Sequence, residues 1–299
     1  MKGQILQELR SKKGMVSGEQ LSASLGISRV SVWKHIHKLQ ELGYDILTGP
    51  GGYRLMSSPD VLYPWEFSGR ESKIFYYPEV TSTMDRAKDL ARKNCPDFTV
   101  VIAGRQTHGR GRLNRLWLSD DGGIYFTIVL RPDIPVPLSA RVSFLASLTL
   151  ARVLRDMFHI EAAVKWPNDI LVDGRKISGM LSELEAEADR VFFINIGMGI
   201  NVNNDPPEIE PGVISLKQLT GREIYRKKLL ARFLDEFEEG MQKADFENVI
   251  SAWKKYTITL NRKVKIITSQ EVSEGVAVDV ENDGALVLEL ADGTRKKIV

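Results

Sequence analysis

The 299-residue sequence predicts an α/β multidomain chain with three parts: an N-terminal winged helix-turn-helix, a central mixed α/β domain and a small C-terminal β-barrel. Three observations carry that expectation. Residues 1–58 run through helical periods separated by glycine turns and end in a glycine-rich hairpin. Residues 65–256 interleave β-forming apolar runs with long helical periods, and residues 257–299 hold only short strands broken by Asx-Gly pairs.

In the first part, Ile5, Leu6 and Leu9 set the period of one helix. Ser17 is placed to cap a second, and Gly26 ends it where a positive φ is needed. Ser28 opens a third, Arg29 to Gly43, with Val32, Ile36, Leu39 and Leu42 on one face. Helix, glycine turn and capped helix form the helix-turn-helix pattern. The turn Gly49-Pro50-Gly51-Gly52 between Tyr44–Leu47 and Tyr53–Met56 reads as its wing, and Ser57-Ser58-Pro59 as a short linker. Residues 1–58 carry eight basic against four acidic side chains, +4 in a chain whose formal net charge is only +2. The charge of the whole chain is too small to mark a nucleic-acid binder; its distribution points to this segment. Ser28, Arg29, Ser31, Lys34 and His35 are the candidate DNA contacts, since arginine and lysine reach phosphates or guanine edges and serine bonds to phosphates. A winged helix also serves as a protein-interaction module, and His35 and His37 read alone are solvated helix residues.

In the second part, strands are expected at Ile74–Tyr77, Thr99–Ala103, Ile124–Leu130, Ala163–Trp166, Ile170–Val172 and Val191–Gly197. Helices are expected at Thr83–Asn94 and Ser139–Phe158, with a helical stretch Arg222–Tyr256 closing the domain. In the tail, Lys263–Thr268, Gly275–Val280, Ala285–Leu290 and Lys296–Val299 are strands, turned at Asn282-Asp283-Gly284 and Asp292-Gly293. The single cysteine, Cys95, excludes an intrachain disulfide and any cysteine-based metal site. The N-terminus lacks the apolar core of a signal peptide, and no run of about 18 apolar residues marks a membrane span, so a cytoplasmic protein is expected.

Three segments carry chemistry. Gln106-Thr-His-Gly-Arg-Gly-Arg112, followed by Arg115 and Trp117, lets the backbone approach an anion while guanidinium groups fork onto its oxygens. Alone it is equally a basic surface loop or an RG-type nucleic-acid contact. Lys165-Trp-Pro-Asn-Asp169 is followed by Lys176 before the small pair Ser178-Gly179, where an ammonium can stabilise charge between a carboxylate and an α-phosphate. Alone it is a hairpin with charges at its turn. Ile194-Asn-Ile-Gly-Met-Gly-Ile-Asn201 is a strand that something approaches closely at Gly197 and Gly199; alone it is a glycine-marked bulge.

In this order and spacing, the segments resemble the biotin protein ligases. That family's pattern joins a Gly-Arg-Gly-Arg loop, a Lys-Trp-Pro-Asn-Asp strand, a lysine before a small-glycine pair and a Gly-x-Gly-Ile-Asn strand. All four are present, the likeness covers residues 70–299, and the winged helix extends it to the bifunctional class that also represses biotin genes. The resemblance implies a class II synthetase-like catalytic domain and an SH3-like barrel. It implies that biotin and ATP give biotinyl-5′-AMP, which then acylates a lysine of the biotin carboxyl carrier domain of a carboxylase. It places Ser82, Thr83 and Gln106 on biotin with Gly109, Arg110 and Gly111 beside it. Arg110 and Arg112 hold phosphates in a loop that orders over the adenylate, and Trp117 packs near it or, equally, in the core. Lys176 meets the biotin carboxylate and the α-phosphate, Gly179 and Gly197 keep the pocket open, and Asp169 orients or deprotonates the acceptor lysine. Mg2+ neutralises the triphosphate, through ligands the sequence does not identify. The further partners implied are operator DNA of biotin genes and a second copy of the chain in a homodimer on DNA. No membrane partner is implied.

The sequence departs from the family pattern twice. Asn114 stands where the loop usually has a second glycine, and Met84 stands where a polar residue follows Ser82-Thr83. Two other readings stay open on the residues alone: an effector-binding regulator without turnover, for which Asp169 is unnecessary, and a lipoyl protein ligase.

Overall fold

A computed structural model describes residues 1–12, 14–187, 190–206, 212–242, 246–268 and 271–298. The chain forms two compact units, Met1–Ser72 and Lys73–Val299.

In the first unit, α1 (Lys2–Ser11), α2 (Gly18–Leu25) and α3 (Arg29–Glu41) precede a hairpin of β1 (Asp45–Gly49) and β2 (Gly52–Ser57). The Ser17 hydroxyl accepts from the Gln20 amide and Gln20 reaches back to the Ser17 amide, a reciprocal cap that fixes the start of α2. Gly26 ends that helix at φ 63. Ile5, Leu6, Leu21, Val32, Ile36 and Leu39 are fully buried together and form the core of the helix-turn-helix. Gly52 sits at φ 114, and a Cβ there would strike the Val16 carbonyl. Val16 and Tyr53 exchange backbone hydrogen bonds of 2.8 and 2.9 Å at that point, which pins the wing to the turn before α2.

The chain beyond Ser57-Ser58-Pro59 stays with this unit. Leu62 and Phe67 are buried, Tyr63 stacks on Trp65 at 4.6 Å, and Glu66 accepts from Arg10 at 2.9 Å. Glu66 also accepts from the Tyr44 hydroxyl, whose pKa is pushed up by burial and by that carboxylate.

The second unit contains β3 (Ile74–Val80), α4 (Thr83–Arg92), β4 (Thr99–Arg110), β5 (Leu116–Ser119), β6 (Ile124–Leu130), α5 (Ala140–Phe158), β7 (Ala163–Lys165), β8 (Asp169–Val172), β9 (Arg175–Glu187) and β10 (Arg190–Ile200). The strands form one mixed sheet in the order β3-β4-β6-β10-β9-β8-β7, with β5 paired to β4. There follow α6 (Leu216–Thr220), α7 (Arg226–Gln242) and α8 (Phe246–Lys254). One sheet face packs on α4 through Ala87, Ala91, Val101 and Val129. The other packs on α7, where the Phe126 and Phe233 rings meet at 5.6 Å, and α5 packs on α8 through Phe144 and Trp253 at 4.8 Å. By length and composition Val136–Phe158 is apolar enough to cross a membrane, but Val142, Leu148, Leu150 and Leu154 are buried in the unit, as in a core helix.

Three strands differ from the sequence reading, and one of them, β5 at Leu116–Ser119, is absent from it. The Gly-Arg segment expected as a loop continues β4 as far as Arg110, and the turn proper is Gly111–Arg115. Arg175–Glu187 is a thirteen-residue strand. Its glutamates mask the alternation: Glu183 and Glu185 face Arg110 and Arg92 where an apolar strand would face leucines.

The tail is a four-stranded antiparallel sheet, β11 (Lys263–Ile267), β12 (Val272–Val280), β13 (Leu286–Glu289) and β14 (Arg295–Ile298), in chain order. Its two tight turns carry Gly284 and Gly293 at φ 87 and 81. Val299, the end of the last expected strand, lies outside the described residues. The tail is tied to α5 and to the residue after β7 by hydrogen bonds from Arg141 to the Asn282 carbonyl (2.5 Å) and from Trp166 Nε1 to the Gly284 carbonyl (3.0 Å).

Candidate active site

A cleft of about 450 Å3 opens where the start of α4, the ends of β4 and β10, and the beginnings of β8 and β9 converge, with Lys265–Thr268 of the tail on its rim. Ser82, Thr83, Gln106, Arg110, Gly111, Arg112, Trp117, Asp169, Lys176, Gly179 and Gly197 all line it. Residues up to 115 positions apart in sequence thus share one wall system. Gly109 does not line the cleft. It lies behind the wall, paired with Trp117, where a Cβ would crowd Ser119 Oγ at 2.7 Å and Gln106 Nε2 at 3.0 Å.

The inner end is a connected hydrogen-bond chain. Ser82 caps α4 by accepting from the Met84 amide at 3.3 Å. The Thr127 hydroxyl donates to the Thr83 hydroxyl at 2.8 Å, which donates to Gln106 Oε1 at 3.1 Å, while the Thr83 amide reaches the same oxygen at 2.7 Å. Gln106 Nε2 donates to Ser119 Oγ at 2.9 Å, and Ser119 to the Trp117 carbonyl at 3.2 Å. Such a chain fixes the orientation of each member before any ligand arrives. Thr127 and Ser119 escape the sequence reading. The signal for Thr127 is a lone hydroxyl in the apolar run of β6, where burial requires a partner. Met84 fills the space over Gly197: a Cβ there would stand 2.5 Å from the Met84 sulfur.

Arg110 pairs with Asp85 at 2.9 Å and Glu183 at 3.2 Å. Arg112 has no ion-pair partner among the described residues and lies 6.0 Å from the Trp166 ring centroid. Lost hydration lowers its pKa and the charge of Asp169 opposes that shift. The turn between Arg112 and β5 places Leu113 at φ 54, a left-handed conformation one residue before Asn114.

At the centre, Lys176 Nζ stands 2.7 Å from Asp169 Oδ1 and 5.2 Å from the Trp117 ring centroid. Gly179 and Gly199 admit that indole: a Cβ on Gly179 would lie 2.9 Å from it, and one on Gly199 would overlap its nitrogen. The Trp117 N–H is buried without a hydrogen-bond partner among the described residues. Asn168 braces β8 against β9, its side chain donating to the Met180 carbonyl. Asn201, the end of the Gly-x-Gly-Ile-Asn segment, joins Asn204 at 2.9 Å to form a further polar wall, and Asn204 is a residue the sequence reading did not single out.

In the first unit, Ser28 caps α3 by accepting from the Ser31 amide at 3.1 Å, and the two hydroxyls lie 3.0 Å apart. Arg29 and Lys34 are exposed. His35 is half-buried on the flank of α3, where burial and the positive charges of the amino terminus and Lys2 push its pKa down. The outward stripe holds Val30 and Trp33, which sequence reasoning passed over, with His37 packed on Trp33 at 4.1 Å.

Comparisons with known proteins match both units. Models of the Biotin/lipoate A/B protein ligase family, of an HTH domain and of the Biotin protein ligase C terminal domain match residues 76–201, 2–54 and 259–299. The chain is 35% identical to the Bifunctional ligase/repressor BirA of Bacillus subtilis strain 168, across 97% of this chain and 95% of that one. It is 31% identical to its namesake in Escherichia coli K12, across 91% and 88% of the two chains. The biotin protein ligase of Aquifex aeolicus, solved in complex with biotin and ATP, superposes with a TM-score of 0.65 at 30% identity, covering 76% of this chain and 95% of that one.

Proposed function

The chain belongs to the bifunctional biotin ligase/repressors, and from that premise we propose how its residues divide the work. It is an ATP-dependent biotin–protein ligase that carries an N-terminal helix-turn-helix for repression. In the first step a biotin carboxylate oxygen bonds to the α-phosphorus of ATP and pyrophosphate leaves. In the second, a lysine amine of the acceptor attacks the mixed anhydride, an amide forms, and AMP departs.

The prebuilt chain of Thr83, Gln106 and Ser119 receives the ureido ring, whose N–H donors and carbonyl acceptor match hydroxyl and amide groups already held in place, with Ser82 at the head of α4. Gly197 makes room for the Met84 side chain and Gly179 for the Trp117 indole, so those two side chains, rather than open space at the glycines, border the bicyclic ring and the tail. Lys176 spans the carboxylate and the α-phosphate, stabilising charge that builds as the O–P bond forms. Arg112, which has no ion-pair partner among the described residues, closes on the phosphates and screens the adenylate from water. Trp117 packs beside it and offers its unpartnered N–H.

The observation that carries this reading is the 2.7 Å pair between Lys176 and Asp169. An ordinary lysine has a pKa near ~10.4, so the acceptor amine needs a group that takes its proton. While Lys176 holds Asp169, that carboxylate is engaged. Once the adenylate draws the ammonium to its own oxygens, Asp169 is released to receive the acceptor lysine. The pair therefore orders the two steps. Asn168 and Asp169, which both line the cleft, would be the side chains placed to hold a magnesium ion, and the ion would neutralise phosphate charge.

The acceptor is the biotin carboxyl carrier domain of a biotin-dependent carboxylase. The operator lies in biotin genes, a homodimer supplies one α3 to each half-site, and the reaction takes place in the cytoplasm. The decisive experiment mixes the purified chain with biotin, ATP-Mg and such a carrier domain. Pyrophosphate release and a carrier mass increase of one biotinyl group are expected, with no transfer when lipoate replaces biotin. Ligand binding without either product would leave an effector-binding regulator.

A further inference from the structure

Helix α3 turns Val32, Ile36 and Leu39 fully into the core, yet its opposite side is not purely polar: Val30 is 63% exposed and Trp33 48% exposed. A single exposed apolar residue needs no explanation, but two on one helical stripe do. The Trp33 ring is not loose. His37, one turn on, packs against it with centroids 4.1 Å apart and planes at 38°, holding the indole outward. Exposed cations flank the stripe: Arg29 beside Val30, Lys34 beside Trp33, and Lys38 beside His37. An apolar ridge between cations matches the DNA major groove, where phosphates line both edges and the thymine C5-methyl is the apolar feature on the floor.

We propose that Val30 and Trp33 contact thymine methyl groups, so that this chain's operator is distinguished by thymine at the steps beneath α3 while Arg29 and Lys34 hold the flanking phosphates. Ser28 and Ser31 hydrogen-bond each other at the start of α3, on either side of Val30 in the chain. This inference rests on the DNA-binding half of the reading above and goes further, since it names the base feature recognised.

The test uses the full chain, because the operator sequence is not known in advance. A randomised duplex pool is selected for binding at low salt, and each thymine of the winning duplex is replaced by uracil, which removes only the methyl. For the wild type, replacement at one or two positions should weaken binding about fourfold each, the worth of one buried methyl-sized group. At the thymine that Trp33 contacts, Trp33→Ala should bind the thymine and uracil duplexes alike, with the preference at the Val30 position kept and its affinity for random duplex unchanged. Trp33→Phe should retain part of the methyl preference. Unchanged melting and biotin transfer in both variants would show that the fold is intact. If the wild type binds no duplex at low salt, the DNA-binding reading itself fails. If it selects a sequence but no thymine replacement matters and Trp33→Ala selects the same sequence, the proposal is overturned while that reading stands. A stripe whose removal abolishes only self-association in sedimentation would also overturn it, in favour of a protein partner.

Discussion

Arg110 and Arg112 stand two residues apart and end in opposite surroundings. Arg110 is held between Asp85 and Glu183 at 2.9 and 3.2 Å. Arg112 has no ion-pair partner among the described residues and rests over the face of Trp166. The contrast extends to the halves of the cleft that they border. The inner half, around Thr83, Gln106, Ser119 and Thr127, is a closed set of donors and acceptors with fixed geometry. The mouth, from Arg112 to Leu118, exposes Leu113 at 48% and Leu116 at 57%. In the proposed reading, preorganisation sits where the ligand stays the same throughout the reaction, at the ring, and freedom sits where it changes, at the phosphates and the incoming amine. Arg110, committed to carboxylates, belongs by its contacts to the fixed half, although the sequence pattern pairs it with Arg112.

The largest expected effect lies at the boundary between the halves. Lys176→Ala should slow adenylate formation by on the order of 10²-fold or more, the scale of removing a transition-state charge. Pyrophosphate release at the wild-type rate would reduce Lys176 to a structural partner of Asp169. Next in size, Arg112→Gly should let biotinyl-AMP escape, seen as faster adenylate dissociation and as biotin on lysines of a bystander protein. Biotin affinity should change little. Retention equal to wild type, with clean bystanders, would place Arg112 in the fixed half and erase the contrast. The smallest effect is expected inside the fixed half. Gln106→Leu removes one acceptor and one donor from a buried chain, so KM for biotin should rise roughly 5- to 30-fold with kcat nearly constant. A fall in kcat at unchanged KM would show that this end acts in the transition state, and the comparison would need redrawing.

The limits of legibility follow the same division. Local patterns mark the elements whose neighbours lie nearby in sequence. The capped start of α2, the stop at Gly26 and the buried stripe of α3 follow from residues three or four apart. The turns at Gly284 and Gly293 follow from Asx-Gly pairs. The segments that supply the cleft are visible as well, because glycine between arginines and lysine before a small pair are unusual in any strand. Three things escape local patterns. Strand β9 hides its alternation behind glutamates whose partners, Arg92 and Arg110, come from elements elsewhere in the chain. The sequence reads Ser57-Ser58-Pro59 as a linker and residue 65 as the start of the next part, but Tyr63, Trp65 and Glu66 find partners on α1 and at Tyr44. Thr127 is one hydroxyl in an apolar run, and its role exists only through Thr83.

The sequence by itself thus determined the kinds of element, the three groups they form and the residue types available for chemistry, since propensity, capping and turn formation act over a few residues. The tertiary structure alone decided which of those residues meet. Strands β6, β10 and β9 lie side by side although α5, β7 and β8 separate β6 from the other two in the chain. That order brings Thr127 to Thr83 and Glu183 to Arg110. It also decided that Arg110 is ion-paired while Arg112, among the described residues, is not. Two arginines in one motif carry the same charge, and only the carboxylates that the fold brings within 3.2 Å of one of them make the difference.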